Sequence, residues 1–459
     1  MSTSTTHVHD RGPLTVVGGG LVGSLLAIMM ARRGHTVDVF DRQVDPRRGR
    51  VGGLRPSLNL TLCERGLAAL DTVGLREHVA ARAVALRGRR IHAMDGTTTD
   101  QPYGNRGESI HSISRTELGA VLIEVAREEP GVRFHFEHRC TQLDPRSGRV
   151  RFEHADGGAA REQQCEAIFG ADGAYSSVRL QLQKTELFDY SQTYSTQGYK
   201  ELAIPATAEG GWALDPGWLH VWPRGGFMLI GFPNKDGSFA LALHAPHRGG
   251  ACSFEQLDSH ARVHAFMQSQ FPDVVELVPA LGEQFFARAV NSMLTIRCAP
   301  WSSAGRVLLV GDAAHAVLPF YGQGANAGFE GCAVLDRCIA EHGDDWPTVF
   351  REYERLRRPN MDVMAELCVD HFVELRDRLS DAKFLLRKRI ERRLEQLFPT
   401  QFMPLYSLIS FTRTPYLEAL RIDRSQRALV DRLLAVDGIA ELGDASLVAL
   451  VEAQDKEVA

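Results

Sequence analysis

The sequence predicts an α/β protein, in which a Rossmann-like βαβ domain carries an inserted, mostly antiparallel β-sheet domain and a helical C-terminal region. Three observations predict this fold. A glycine-rich turn lies between a short apolar strand and an apolar helix near the start, several strand-like runs occupy residues 185–297, and the chain from 346 onward is dense in Arg, Glu and Leu. Strand, glycine turn, helix and strand within about thirty residues are typical of a βαβ unit with a parallel sheet.

Length and composition set the limits of this interpretation. The chain has 459 residues, too many for one simple core, and is 44% hydrophobic and 24% charged, as in ordinary globular proteins. The net charge of −5 gives no electrostatic reason to expect a nucleic-acid partner. None of the eight cysteines forms a CxxC pair or a zinc-finger spacing, which predicts a reducing, cytoplasmic environment, no disulfide framework and no metal site.

The predicted domains follow the composition along the chain. Residues 1–12 are a polar tail, expected to be disordered; residues 13–184 and 298–345 form the dinucleotide-binding domain and include a hairpin at 86–104; residues 185–297 form the sheet domain; and residues 346–459 form the helical region. The start lacks the apolar core of a signal peptide, and the last apolar run, 447–451, is too short to span a bilayer. We therefore expect no membrane anchor.

The first motif is the GxGxxG formed by Gly18, Gly20 and Gly23. The first glycine permits a tight turn, the second lets the backbone approach a diphosphate, and the third allows close packing of helix on strand. The following helix points free N–H groups at the phosphates. Asp41 ends the second strand, where an acid accepts the ribose hydroxyls. The strand, helix and acid together favour a dinucleotide site over a merely structural turn.

Two further motifs follow later strands. Asp172 lies in GADGAYSSVR at 170–179, where a simple Asp-Gly turn is an equal alternative. Asp312 lies in VGDAAH at 310–315, before a glycine-rich loop that leads into a helix. The Asp312 carboxylate can accept a ribityl or ribose hydroxyl, and the loop N–H groups can hold a diphosphate or an electron-rich ring. His315 alone is more often a packed histidine than a base.

In this order and spacing, the three motifs resemble the single-component FAD-dependent aromatic hydroxylases from residue 14 to about 335. Segments at 18–27, 188–192, 220–239, 311–332 and 404–413 make the chain similar to the kynurenine 3-monooxygenase family in particular. The resemblance implies FAD as cofactor, NADPH as reductant and O2 as co-substrate. It also implies hydroxylation of L-kynurenine to 3-hydroxykynurenine through a flavin C4a-hydroperoxide, with the flavin rather than an acid–base pair carrying the chemistry.

The resemblance also assigns site residues. Those implied for the cofactor are Gly18, Gly20, Gly23, Asp41, Arg42, Arg115, Cys140, Asp172, Asp312, Gly322, Gln323, Gly324, Ala325 and Asn326. Those implied for a small aryl amino acid substrate are Arg89, Tyr103, His371, Tyr406, Phe239, Pro319 and Phe320. A hairpin turning at 95–96 would bring Arg89 beside Tyr103, and an arginine fork suits a carboxylate. Without the resemblance, a solvated basic strand is the simpler interpretation of Arg89, and core packing is the simpler one of Phe239 and Cys140.

The chain departs from the family pattern at four positions. His371 replaces an Asn that touches the substrate carboxylate, Pro56 stands where Arg is expected, Ala325 replaces Met, and Gly331 replaces Asp. Histidine can still donate a hydrogen bond to a carboxylate. Three substrates therefore stay open besides kynurenine: a ring-substituted kynurenine, an anthranilate and an indole amino acid. A flavin-binding protein without turnover is the alternative from another class, and the expected state is a monomer or homodimer.

Overall fold

Within the described residues, 13–46, 59–378 and 381–458 of this computed structural model, every strand lies before residue 310 and the last third is helical. The strands are β1 (Leu14–Val17), β2 (Val37–Phe40), β3 (Asn59–Leu62), β4 (Val84–Leu86), β5 (Gly88–His92), β6 (Thr98–Pro102), β7 (Ile110–Ser114), β8 (Val132–His135), β9 (His138–Asp144), β10 (Arg149–His154), β11 (Arg161–Gln164), β12 (Ile168–Gly170), β13 (Asp189–Ile204), β14 (Leu219–Pro223), β15 (Met228–Pro233), β16 (Phe239–Pro246), β17 (Asn291–Ala299), β18 (Ser302–Ser303) and β19 (Val307–Leu309). The predicted tail at 1–12 and the Pro56 replacement lie outside the described residues.

The helices are of very different lengths. They are α1 (Leu21–Arg32), α2 (Glu64–Asp71), α3 (Arg76–Ala80), α4 (Arg115–Glu128), α5 (Ser177–Leu182), α6 (His260–Gln270), α7 (Pro272–Val275), α8 (Leu281–Phe286), α9 (Asp312–His315), α10 (Gly324–His342), α11 (Trp346–Val373), α12 (Ala382–Leu397), α13 (Leu405–Phe411), α14 (Tyr416–Leu434) and α15 (Asp444–Val458). A 3-10 turn occupies Pro319–Tyr321, and a π-helix, Glu374–Arg378, continues α11.

A six-stranded sheet in the order β18-β19-β12-β1-β2-β8 forms the dinucleotide-binding part. Its strands are parallel except β18. Buried apolar side chains from both of its faces join one large core with α1 and α10. Because β1, β12 and β19 are parallel neighbours, the turns that follow their carboxyl ends meet at one edge of the sheet. These turns are the three motifs found in the sequence.

A seven-stranded sheet in the order β17-β13-β16-β15-β14-β5-β6 forms the second part. It is antiparallel apart from the β14–β5 pair, which confirms the predicted inserted sheet. The hairpin β5–β6 had been assigned to the dinucleotide-binding domain, but β5 pairs with β14 and so extends this second sheet. The hairpin thereby carries its side chains to the boundary between the two sheets. The remaining division into domains stays a prediction.

The C-terminal region is helical, as predicted. The 28-residue helix α11 packs against α10 and α14, and α12, α14 and α15 share a small apolar core of their own. None of the helices in the described part of the chain has both the length and the apolar character that crossing a bilayer requires. The helical region covers the boundary between the two sheets, where the hairpin ends.

Candidate active site

The GxGxxG turn is tightly packed at its first and third glycines and open to solvent space at its second. Gly18 has a φ of +106°, and a Cβ atom there would lie 2.4 Å from the carbonyl oxygen of Ala171. A Cβ on Gly23 would lie 1.9 Å from the carbonyl oxygen of Gly18. In contrast, a Cβ on Gly20 would meet nothing within 4 Å. The turn therefore requires glycine for its own packing at two positions and leaves free space at the third, as a diphosphate site demands.

Asp41 supports this turn directly. Its Oδ2 atom accepts a hydrogen bond of 2.7 Å from the backbone N–H of Gly19, and its Oδ1 atom accepts one of 2.7 Å from that of Gln43. The carboxylate thus lies against the turn, at the predicted place, while Arg42 beside it is exposed. Asp41 orders the turn as well as being available to a ribose.

Asp172 caps helix α5 at the edge where the three turns meet. Its Oδ2 atom accepts hydrogen bonds from the backbone N–H groups of Ser177, at 2.6 Å, and Val178, at 3.2 Å. The nearby Arg179 donates to the carbonyl oxygens of Ala174, at 2.6 Å, and Ala313, at 2.7 Å. The second and third motifs are therefore tied together by one buried guanidinium.

Asp312 begins α9 and is half-buried. Burial raises the pKa of its carboxyl group above the ordinary value, and the positive charge of Arg115 opposes that rise. Arg115 is the exposed first residue of α4, so the structure brings two predicted cofactor residues close enough to interact. The pair suits a polar ligand that would cover the carboxylate.

The loop before α10 is fixed from behind by its own side chains. Asn326 donates through Nδ2 to the carbonyl oxygens of Gly322, at 2.6 Å, and Thr61, at 2.8 Å. The buried side chain of Gln323 accepts a hydrogen bond of 3.0 Å from the hydroxyl of Tyr416. A Cβ on Gly324 would meet nothing within 4 Å. With both amide side chains engaged, the loop offers its backbone to a cofactor.

Two of the predicted cofactor residues, Cys140 and Ala325, have surroundings that do not by themselves indicate a cofactor. Cys140 on β9 is buried in the large core, and burial, followed by the charge of Asp172, raises the pKa of its thiol to about 12. Such a thiol stays protonated and packs as a small apolar group. Ala325 is half-buried at the start of α10. The resemblance alone assigns these two to the cofactor.

A cavity of about 950 Å³ opens between the hairpin and the C-terminal helices. Its walls come from the hairpin β5–β6 and, far along the chain, from α11, the π-helix, α12, α13 and α14. The lining includes Arg89, Tyr103, Tyr321, His371, Glu374, Lys388 and Tyr406. The structure thus gathers four of the predicted substrate residues in one place and adds three others.

Arg89 is the central cation of this cavity. Its Nη2 atom lies 3.0 Å from Nε2 of His371, and its guanidinium lies 5.0 Å from the ring centre of Tyr406 and 5.5 Å from that of Tyr103. Within the described residues, Nε of Arg89 and the hydroxyl of Tyr103 are buried without a hydrogen-bond partner. Because both residues line the cavity, these two atoms are free to donate to an acceptor on a ligand.

His371 and Glu374 continue the network from Arg89. Because a guanidinium only donates, Nε2 of His371 must accept, which places the imidazole proton on Nδ1, 3.6 Å from Oε2 of Glu374. Burial lowers the pKa of His371, so the ring is neutral at pH 7. Burial alone would raise the pKa of Glu374, but His371 and Lys388 together lower it below its ordinary value. A carboxylate thus lies beside the Arg89 guanidinium.

Reasoning from the sequence did not single out Glu374. The residue lies in the segment HFVELR, which was compared with the family only for the change at His371. It begins a π-helix, and such one-turn bulges are frequent at functional sites. The spacing of three positions already places Glu374 on the same helix face as His371, and the structure adds that this face meets Arg89.

Aromatic rings line the side of the cavity that faces the loop. The ring of Tyr321 lies 4.5 Å from that of His371 and 5.7 Å from that of Tyr406, between centres. Phe320 stacks on Phe372 at 4.2 Å, whereas Pro319 is exposed. Tyr321, rather than its two predicted neighbours, contributes the ring that lines the cavity itself.

The prediction that Phe239 contacts the substrate is wrong. Phe239 is fully buried among the side chains that pack β16 against α6 and α8, on the opposite face of the second sheet. Side chains alternate along a strand, so Phe239 and Leu241 share that face, whereas His244 faces the loop and lies 5.0 Å from the ring of Phe320. Core packing, the simpler interpretation of Phe239, is correct.

Known proteins match this chain over most of its length. The FAD binding domain family matches residues 12–366. The kynurenine 3-monooxygenase of Myxococcus xanthus is 44% identical over 426 residues, which are 93% of this chain and 90% of that protein. That of Flavobacterium johnsoniae is 42% identical over 429 residues, which are 94% of this chain and 95% of that protein. The chain belongs to the kynurenine 3-monooxygenase family.

The fold of this family member is also found in more distant structures. The tetrameric form of 2-methyl-3-hydroxypyridine-5-carboxylic acid oxygenase superposes with a TM-score of 0.67 at 20% identity, over 82% of this chain and 96% of that one. The predicted fold class and the FAD-dependent monooxygenase class are confirmed. The residues present fit FAD, because the open space at Gly20 and Gly324 adjoins turns that only glycine can build.

Proposed function

We propose that this enzyme converts L-kynurenine to 3-hydroxykynurenine, with NADPH as reductant and O2 as co-substrate. The observation that carries the proposal is that buried Arg89 and Tyr103 share one cavity with the half-buried Glu374. Two unpaired donors suit a carboxylate, and the neighbouring Glu374 suits an ammonium group. Together they match the two charged ends of an α-amino acid.

The chain's own contribution is binding and shielding. FAD, when bound, supplies the redox chemistry that joins NADPH, O2 and the aryl ring. Arg89 and Tyr103 hold the carboxylate, Glu374 accepts from the ammonium group, and the ring of Tyr321 limits how the aryl ring can lie. The C-terminal helices form much of the cavity wall and so limit the access of water to the aryl ring. The amino group of an aniline already activates its ring, so the site needs no strong protein base.

The test is NADPH oxidation by the purified holoenzyme with and without L-kynurenine, with the product identified by mass and H2O2 measured. We expect kynurenine to stimulate oxidation and 3-hydroxykynurenine to form in near proportion to the NADPH consumed. Stimulation that yields mostly H2O2, or no stimulation although FAD is bound, would contradict kynurenine as the substrate. NADH in place of NADPH tests the choice of reductant.

One observation favours a second candidate function, the same reaction on another substrate. That substrate would be a ring-substituted kynurenine, an anthranilate or an indole amino acid. Nε2 of His371 accepts a hydrogen bond from Arg89 and so offers no donor there to a substrate carboxylate. The family's Asn amide could donate, so His371 changes the carboxylate site. The test is to measure kcat/KM for these substrates in the native enzyme and in His371→Asn. If the native substrate is not kynurenine, kcat/KM for kynurenine should rise in the variant.

We also propose that the enzyme acts in the cytoplasm as a monomer or homodimer with a small-molecule substrate. The eight cysteines of the sequence are all free thiols in the structure, in keeping with a reducing environment. Light scattering coupled to gel filtration measures the mass in solution, and a tetramer would contradict the proposal. Cell fractionation with a membrane-protein marker tests the location.

A further inference from the structure

A buried cluster outside the cavity connects the loop before α10 with the helix that carries Tyr406. Tyr416, the first residue of α14, is fully buried. Its hydroxyl donates to Oε1 of Gln323 at 3.0 Å, and the guanidinium of Arg65 lies 4.2 Å from the centre of its ring. Burial raises the pKa of the Tyr416 phenol far above its ordinary value, so the hydroxyl stays protonated at neutral pH and can donate. We call Tyr416, Arg65 and Gln323 the loop clamp.

Gln323 is the point at which the loop clamp meets the predicted cofactor loop. It is the N-terminal cap residue of α10 and lies between Gly322, whose φ is +66°, and Gly324. Its amide nitrogen is 3.6 Å from the sulfur of Cys63, so both ends of the amide are engaged. Without its tyrosine, the Gln323 oxygen would keep only the long contact of 3.8 Å from the sulfur of Cys63. A buried acceptor that loses its good hydrogen bond destabilises the conformation that buries it.

Within the loop clamp, Arg65 is the residue that also contacts a helix of the cavity wall. Its side chain is fully buried and forms an ion pair with Glu330 of α10. It also donates to the carbonyl oxygens of Thr414, at 2.7 Å, and Ile409, at 3.4 Å. Ile409 lies in α13, the short helix whose residue Tyr406 lines the cavity. One guanidinium therefore fixes α10, which follows the cofactor loop, and α13, which contributes to the substrate cavity.

We propose that Tyr416 is a positioning residue, which holds the loop at 322–326 in the conformation that receives FAD and keeps that loop in register with α13. The effect of Tyr416 on turnover rests on the proposed function for the identity of the substrate, whereas its effect on FAD binding does not depend on the substrate. Loss of the hydroxyl should weaken FAD binding by about tenfold, the scale of one buried hydrogen bond.

The decisive comparison is Tyr416→Phe against Tyr353→Phe. Tyr353 is also fully buried, but in the described part of the chain its hydroxyl has no hydrogen-bond partner. We would titrate each apoprotein with FAD and follow hydrogen exchange in peptides covering 319–327 and 404–412. We expect Tyr416→Phe to raise the FAD Kd about tenfold and to speed exchange in both segments, and Tyr353→Phe to do neither. Equal effects of the two variants, or an unchanged FAD Kd in Tyr416→Phe, would overturn the proposal.

A double variant separates the hydrogen bond from a general loss of packing. If the bond to Gln323 is the cause, Tyr416→Phe combined with Gln323→Leu should bind FAD no more weakly than Gln323→Leu alone. Additive losses would show that Tyr416 acts through packing and would overturn the assignment.

The holoenzyme then tests the link to the substrate side. The H2O2 fraction during NADPH oxidation with kynurenine should rise severalfold in Tyr416→Phe, with a smaller change in KM. If the native enzyme does not hydroxylate kynurenine, the proposed function fails, while the FAD titrations still decide on the loop clamp. An unchanged H2O2 fraction would overturn the link to α13.

Discussion

The cofactor side and the substrate side of this site are built in opposite ways. The cofactor side consists of three short turns that follow neighbouring parallel strands, and most of its geometry is fixed by glycines within a few residues of one another. The substrate side joins Arg89 of the hairpin to His371 of α11, 282 positions later in the chain. A site built from local turns can therefore be predicted from sequence patterns. A site built from side chains that are far apart in the sequence cannot, because it depends on how the helices pack.

The largest effect should come from Gly23→Ala on the cofactor side. A methyl group there would lie 1.9 Å from the carbonyl oxygen of Gly18, a backbone contact that cannot relax without moving the turn. We expect at least about 3 kcal/mol of lost stability, with little or no FAD retained. FAD absorbance per protein after gel filtration and the thermal midpoint measure this. Retention of full FAD content would show that the turn is less tightly packed than the structure indicates.

The residues of the cofactor side were easier to predict from the sequence than those of the substrate side. The spacing alone indicates Gly18, Asp41 and Asp312, because each lies within three residues of the end of a strand whose apolar run is visible. Phe239 was misassigned because a buried phenylalanine looks the same on either face of a strand, and only the register of β16 decides between them. The sequence therefore predicts which turns meet, but not which face of the second sheet meets the cavity.

Glu374 and Tyr321 illustrate the same limit on the substrate side. Glu374 follows His371 by three positions, so any helix would place the two side chains on one face, but only the fold brings that face to Arg89. The hairpin β5–β6 was predicted, but its pairing with β14 was not, since pairing between distant strands depends on the whole sheet. Arg89 could be placed near Tyr103 from the turn, and near His371 only from the fold.

Arg89→Ala should have the next largest effect, on the substrate side alone. It removes a buried cation from the proposed carboxylate site, where charged hydrogen bonds are worth about 1.5–3 kcal/mol each, so we expect KM to rise about a hundredfold. FAD content should remain that of the native enzyme. Steady-state kinetics with kynurenine measure the change, and an unchanged KM would refute the carboxylate assignment.

Arg90→Ala is the matched control for that experiment. Arg90 is adjacent on β5, but it forms an ion pair with the exposed Asp100 at 2.7 Å. Pairs of this kind contribute about 0–1 kcal/mol, so KM should change less than about twofold. A KM change as large as that of Arg89→Ala would indicate a general disturbance of the hairpin rather than a specific contact.

Gly20→Ala should separate cofactor binding from stability. A methyl group at this position meets nothing within 4 Å, so the apoprotein should keep its thermal midpoint. The same methyl group would occupy the space through which a diphosphate approaches the backbone, and the FAD Kd should rise about tenfold. Titration of the apoprotein with FAD measures it. Normal FAD affinity would mean that the diphosphate lies elsewhere along the edge of the sheet.

The smallest effect concerns pH and the histidine of the substrate side. Because burial lowers the pKa of His371, the unfolded chain binds a proton that the folded protein does not bind as pH falls below about 6.5. The free energy of unfolding should therefore fall more steeply between pH 6.5 and 5.5 in the native protein than in His371→Asn, by up to about 1 kcal/mol. Urea unfolding at the two pH values measures both proteins, and equal slopes in native protein and His371→Asn would show that His371 gains a proton as readily in the cavity as in water.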